Sequence, residues 1–355
     1  MRKKIISMIL ISALLLSGCS MPWQDDEEKK ETETAEETPA IIEEEPEKET
    51  PVIVVKSSGN FAEDVTEEEK ERLEEGAQDG DGTEAETTQE PPEATNIDKL
   101  ACEPGQAVSL DPNWEYASFS KIHDGSAVYY AATENRCGLV VGVNAGHGTK
   151  GGTSVKTYCH PDMTPKVTGG TTAAGSVEAV AVSGGMTFTT GESEASVNLR
   201  LARFLRDALL EMGYDVLMIR DGDDVQLDNV ARTVICNNVA DCHVAIHFDG
   251  DSQSSDKGCF FMSVPDGIKS MPPVDRTWHM SEELGTQIIM ALGANGHKIC
   301  GNGSMAIDLT QTSYSTIPSV DVEFGNQCSD TSDENLRSMA LATAAGIDSF
   351  FDVSN

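Results

Sequence analysis

Residues 138–148, GLVVGVNAGHG, decide how the rest of the chain is read. Leu139 to Val143 form an apolar run behind Gly138, as expected of a strand buried on both faces. The run breaks at Gly146, His147 and Gly148, which leaves a histidine just past a strand end between two glycines. Further along, EASVNLRLARFLRDALLEMG (194–213) sets apolar residues at Val197, Leu201, Phe204, Leu205, Leu209 and Met212. That spacing is close to 3.6 and predicts a helix stopped by Gly213. YDVLMIR (214–220) then reads as a strand, LDNVARTVICNNVA (227–240) as a helix and DCHVAIHF (241–248) as a strand. GCFFMSV (258–264) and SVDVEF (319–324) read as further strands, with helices at SEELGTQIIMALGANG (281–296) and DENLRSMALATAAGIDSFF (333–351). Strands alternating with helices predict an α/β fold: a mostly parallel twisted sheet with helices on both faces, in a single catalytic domain.

Ligands of such sheets collect beyond the carboxyl ends of the strands. His147, His247 and Glu323 all fall at or just past predicted strand ends, and Glu194 opens the first helix. Two imidazoles and a carboxylate, His147, Glu194 and His247, make a donor set for one zinc ion with a coordination position left open. Glu323, in the mostly apolar strand PSVDVEFGN, is then the candidate general base of a metal-assisted amide hydrolysis. Taken singly, each residue has a plainer reading: a turn histidine, a core histidine, a solvated carboxylate. Glu192 competes with Glu194 as a ligand from two residues away. His243 shares a strand face with His247 because their spacing is even, and its earlier position predicts packing inside the sheet.

Four motifs occur in order: VVGVNAGHG (140–148), EASVNLRLARFLRDALLEMGYDVLMIR (194–220), ARTVICNNVADCHVAIHFDG (231–250) and TIPSVDVEFGNQCSDTSDENL (316–336). Over roughly residues 138–351 the chain resembles the zinc-dependent N-acetylmuramoyl-L-alanine amidases, peptidoglycan hydrolases. The resemblance implies one Zn2+ on His147, Glu194 and His247, with Glu323 as the catalytic residue and Arg232 and Asn237 as structural supports. It implies a peptidoglycan substrate, cut by zinc-activated water between N-acetylmuramic acid and L-alanine of the stem peptide. Asn144 stands where the family usually has Asp, and Phe248 and Asp249 replace its small residue and asparagine. The stretch between the first two ligands is also longer than usual. It reads as an inserted loop, 150–191, that gates the site or meets an activator or inhibitor of unknown nature; a hairpin is expected within GSVEAVAVSGGMTF (175–188). Two alternatives follow: a non-catalytic or autoinhibited wall-binding regulator that keeps the fold, and a zinc hydrolase acting on another amide.

Outward from this domain, composition changes sharply. Arg2, Lys3 and Lys4 precede an apolar stretch, Ile5 to Leu16, and then Leu16-Ser17-Gly18-Cys19, the pattern of a lipoprotein signal peptide (1–18) with Cys19 as the lipidated residue. An ordinary signal peptide with an incidental cysteine is the simpler alternative. Residues 21–100 carry 28 acidic and 7 basic side chains and few aromatics. Such a segment buries too little apolar surface to offset chain entropy, so residues 19–100 read as an acidic disordered stalk, or alternatively an interaction tail. The expected location is therefore outside the cell, lipid-anchored to the outer face of the membrane. Residues 101–355 are the expected zinc amidase domain, with 101–136 as an added layer. The whole chain has a net charge of −35, which argues against a nucleic-acid partner. Eight cysteines follow Cys19; export permits disulfides, and at least one is expected.

Overall fold

The computed structural model describes residues 99–354, so the signal, the lipidation site at Cys19 and almost all of the stalk lie outside the described residues. In chain order the elements are β1 (Ala107–Val108), a 3-10 turn at Ala117–Phe119, β2 (Ala127–Tyr130), β3 (Val140–Ala145), β4 (Lys156–Tyr158), β5 (Glu178–Val180) and α1 (Glu194–Glu211). Then come β6 (Asp215–Met218), α2 (Asn229–Val239), β7 (Cys242–Asp249), β8 (Cys259–Ser263), α3 (Val274–Ala294), β9 (Ile299–Ala306), the short α4 (Thr310–Ser313), β10 (Ser319–Asn326) and α5 (Asp333–Ser354). Eight strands form one sheet in the order β1-β2-β6-β3-β7-β10-β8-β9. Its heart, β6-β3-β7-β10, is parallel, as is β8 with β9. The pairings of β1 with β2, β2 with β6 and β10 with β8 are antiparallel. The fold class expected from the sequence is therefore present, with antiparallel additions toward both edges.

Alternation along the strands assigns the two faces. Val141, Val143, Val216, Met218, Val244, Ile246, Val320 and Val322 belong to one buried cluster with apolar residues of α1, α3 and α5. Leu217 and Ile219 point the other way, into a cluster with Ala231, Ile235, Cys236 and Val239 of α2. A side-chain period of two thus puts Asn144, His247, Asp321 and Glu323 on the α2 face. The central strands are parallel, so the carboxyl ends of β3, β7 and β10 reach the same edge of the sheet.

The boundaries of α1 follow from its sequence. Ser193 caps it by accepting from the Ser196 backbone N–H, and Gly213, at φ 96°, turns the chain after Met212. Ala adds a Cβ that would lie 2.2 Å from the Asn135 carbonyl, so Gly213 is also required for close approach. Residues 101–136 do more than add a layer: β1 and β2 extend the sheet, while the 3-10 turn packs Ala117 against Val230 and Val234 of α2. The hairpin expected within 175–188 forms differently. Glu178–Val180 pairs antiparallel with Lys156–Tyr158, from the far end of the same segment. Strand β9 (ICGNGSMA) was not expected; its two glycines and exposed pattern carry no strand signal.

The expected disulfide does not form among the described residues, where all eight cysteines are free. Cys159, Cys236, Cys242 and Cys259 are buried and pack as small apolar side chains. Burial raises each of these four thiols above its ordinary pKa, to about 12 for Cys259. Among the described residues, no helix is long and apolar enough to cross a membrane.

Candidate metal centre and catalytic cleft

His147 sits in the turn that follows β3, with a left-handed backbone (φ 64°) rare for a residue with a side chain. Two buried arginines hold that turn. Arg232 donates to the His147 carbonyl at 2.6 Å, to the Ala145 carbonyl at 3.2 Å and to Asn144 Oδ1 at 3.0 Å. Arg220 donates to the carbonyls of Ala145, Gly146 and Ala195. Burial lowers both guanidinium pKa values, to about 9 for Arg232 and about 10 for Arg220. The expected support by Arg232 is thus a backbone clamp, and Asn144 is its partner. Asn237 braces the segment before β10: it donates to the Tyr314 carbonyl at 2.9 Å and accepts from the Thr316 N–H at 3.0 Å.

The first turn of α1 brings Glu194 to the same edge, where the helix N-terminus favours a carboxylate. Its Oε2 accepts from the Met186 N–H at 2.9 Å and its Oε1 from the Phe248 N–H at 3.1 Å. His247 extends from β7, in register with Glu323 of β10. The three side chains meet. His147 Nε2 lies 2.7 Å from Glu194 Oε1, and His247 Nδ1 lies 3.2 Å from each of those atoms. The imidazole planes are nearly perpendicular, at 86°. The Nδ1–H of His147 faces the Ser183 carbonyl at 2.9 Å, which leaves Nε2 to present its lone pair to the cluster.

The triangle of donors, with sides of 2.7–3.2 Å, is small enough for one ion to reach all three atoms with bonds of about 2.0–2.2 Å. The surrounding backbone is shaped to this cluster. A Cβ on Gly146 would fall 2.2 Å from the His247 ring, and one on Gly185 would fall 2.7 Å from His147 and 2.9 Å from Glu194. The charge balance also fits a cation. Burial pushes Glu194 up, but His147 and His247 override it and hold the carboxyl well below its usual range. Burial pushes His247 down, yet Asp321, then Glu194 and Glu323, pull it up to about 10. Carboxylates crowded around the imidazoles favour positive charge at this point, and two imidazoles with a carboxylate are donors that zinc accepts.

Glu323 is buried beside this group, with Oε2 lacking any hydrogen-bond partner. Burial raises its pKa well above the ordinary value, and the charge of Asp321 adds to that. All four residues line a single cavity of about 600 Å³. Residues 166–186 contribute much of its wall, including Lys166, Val180, Ser183 and Gly185. Glu192, the competing ligand candidate, is elsewhere: Arg200 donates to it at 2.7 Å and Thr331 at 2.6 Å. His243 is fully buried, as its position in the strand implied, and burial followed by the charge of Arg232 lowers its pKa to about 3. Phe248 turns into the core against Phe188, and Asp249 pairs with Lys257 at the cavity margin.

Sequence reading missed two residues at this site. Asp321 was legible as the polar residue one strand repeat before Glu323, on the same face. Arg220 was legible as a charge directly after the apolar strand YDVLMI, at the sheet edge where the ligands collect.

The sequence profile described as N-acetylmuramoyl-L-alanine amidase matches residues 141–348. No curated protein sequence matches the chain. Among solved structures, the fold is similar to that of the N-acetylmuramyl-L-alanine amidase Ami1 of Mycobacterium smegmatis, at 20% identity and TM-score 0.52, covering 62% of this chain and 100% of the other. It is likewise similar to the apo form of Ami1 from Mycobacterium abscessus, at 20% identity and TM-score 0.50, covering 60% of this chain and 99% of the other.

Proposed function

The chain belongs to the N-acetylmuramoyl-L-alanine amidase family, and from that premise we propose that it is a zinc-dependent hydrolase of the amide between N-acetylmuramic acid and L-alanine in peptidoglycan. The observation that carries this reading is the convergence of His147, Glu194 and His247 in one cavity with a buried Glu323 whose Oε2 has no hydrogen-bond partner. His147 Nε2, Glu194 Oε1 and His247 Nδ1 are the atoms that would hold the ion. Zinc bound there supplies Lewis acidity toward the scissile carbonyl and toward water. Glu323 does the proton work. Its raised affinity for a proton, set by burial, suits it to take one from the attacking water at Oε2 and pass it to the departing L-alanine amine. Ser183 and Phe248 orient the ligands, while Arg220 and Arg232 keep the strained turn at His147 in place.

The same proposal extends to the cell. Residues 1–18 export the chain, lipid on Cys19 holds it at the outer face of the membrane, and the acidic residues 19–100 carry the catalytic domain (101–355) toward the wall. The segment 150–191 forms part of the cleft wall, with Lys166, Val180, Ser183 and Gly185 lining the cavity.

The test uses the full chain on purified peptidoglycan, with zinc content and released stem peptides measured together. About one zinc per chain, with free stem peptides appearing, is the expected result. Bound zinc without release would favour the wall-binding regulator instead, and no zinc would overturn the reading.

A further inference from the structure

The two histidines of the cluster are supported differently. His147 has its outer nitrogen fixed by the Ser183 carbonyl at 2.9 Å. His247 turns Nδ1 into the cluster, so its outer nitrogen is Nε2, and the carboxylate facing that atom is Asp321, whose Oδ2 lies 3.7 Å away. Asp321 is buried and lines the cavity, and its other oxygen, Oδ1, has no hydrogen-bond partner. A buried carboxylate oxygen without a hydrogen-bond partner is costly, so its presence needs a reason. The nearby donors are committed elsewhere. Gln311 Nε2 donates to Ser319 Oγ and the Val320 carbonyl, and Arg232 is spent on backbone carbonyls, Asn144 and Thr149. Strand geometry gives Asp321 its room: its register partner on β7 is the small Ala245, and His247 lies one side-chain repeat further along the same face.

We infer that Asp321 is a positioning residue for His247, accepting its Nε2–H and thereby fixing the tautomer that leaves Nδ1 free to hold the ion. This rests on the zinc reading above. A ring movement of under about 1 Å brings 3.7 Å to hydrogen-bond length, and imidazoles that hold metals commonly donate their second N–H to a carboxylate. The arrangement gives each histidine one acceptor behind it: a backbone carbonyl for His147 and a carboxylate for His247.

The experiment measures zinc affinity of the full chain by competition with a chelator, beside the tautomer of His247 by nitrogen-15 NMR. Asp321→Leu is expected to weaken zinc binding by about 10- to 100-fold and to let His247 populate both tautomers. Asp321→Asn keeps an acceptor oxygen and recovers part of the affinity. Thermal unfolding of the metal-free Asp321→Leu and Asp321→Asn proteins beside wild type separates this from misfolding. Should Asp321→Leu lose its fold, Asp321→Asn decides: the Nε2–H tautomer retained supports the role, and both tautomers populated with undiminished affinity overturns it. Zinc affinity of Asp321→Leu within twofold of wild type, while His247→Ala loses zinc, overturns the inference and leaves the metal site standing. Wild-type protein that takes up no zinc sinks the metal reading itself.

Discussion

Among the described residues, two buried groups are built from histidine and carboxylate, and they differ in what remains after internal hydrogen bonding. In one, His160 is closed on all sides. Its Nδ1 meets Thr164 Oγ1 at 2.8 Å and its Nε2 meets both oxygens of Asp308 at 2.9 and 3.0 Å. Asp308 also accepts from the Val167 N–H, and its own N–H donates to Thr168. Neither His160 nor Asp308 lines the cavity. In the other group, His147, Glu194 and His247 crowd their lone pairs toward one point, while Glu323 and Asp321 each keep a buried oxygen without a partner. A closed network specifies one packing; an open one is held ready for something to complete it. Both groups fasten the segment 150–191, through Ser183 at the cluster and through residues 160–168 at Asp308. The segment is therefore attached to the domain at two separate points beside the cleft.

The sharpest way to break this comparison is at Glu323. Glu323→Gln keeps shape and removes the proton acceptor, so hydrolysis of peptidoglycan is expected to fall by about 10²- to 10⁴-fold with zinc content unchanged. Full release of stem peptides by that variant would remove Glu323 from the mechanism. Next come paired histidine variants with opposite signatures. His160→Ala removes a side-chain partner of the buried Asp308 and is expected to cost about 1–3 kcal/mol of stability by denaturant unfolding while zinc still binds. His147→Ala is expected to lose zinc while the fold persists. If the two variants behaved alike in zinc content, the division between a closed and an open group would be wrong.

The sequence made one of these groups legible and hid the other. His147, Glu194, His247 and Glu323 stand at element ends, where apolar periodicity fixes both the strands and the edge they share. The α/β alternation was readable for the same reason, since α1, β7 and β10 have strong periodic patterns. His160 and Asp308 lie in segments with no periodicity, 148 residues apart, and only tertiary packing joins them. The antiparallel pairing of Lys156–Tyr158 with Glu178–Val180 is equally non-local. Strands β1 and β9 escaped because a two-residue pairing and a glycine-rich edge carry no pattern. The α3 helix begins at Val274, seven residues before the expected start, because its first turns contain charged and aromatic residues that blur the apolar stripe.

A smaller effect concerns His243, which shares a strand face with His247 but is fully buried in the sheet, with Nδ1 at 3.3 Å from Ser319 Oγ and Nε2 without a hydrogen-bond partner. Its folded pKa, about 3, lies below the ordinary value of 6.5 because of burial and then Arg232. Between those values the unfolded chain takes up a proton that the folded chain refuses. Stability is therefore full above about pH 6.5, declines as pH falls toward 3, and loses a few kcal/mol in all. Thermal unfolding of the metal-free protein across that window, compared with His243→Leu, is expected to show a shallower decline in the variant. Parallel curves would mean that His243 is protonated in the folded state.

The smallest expected effect is also the most direct check on the ligand assignment. Glu192 and Glu194 are two residues apart, and the difference between them is entirely one of placement. Glu192 is partly exposed and engages Arg200 and Thr331, whereas Glu194 is buried at the cluster. An exposed ion pair of this kind contributes about 0–1 kcal/mol. Glu192→Ala should therefore shift the unfolding midpoint slightly and leave zinc stoichiometry untouched, while Glu194→Ala abolishes zinc uptake. A reversal of those two results would mean that Glu192, and not Glu194, is the carboxylate ligand.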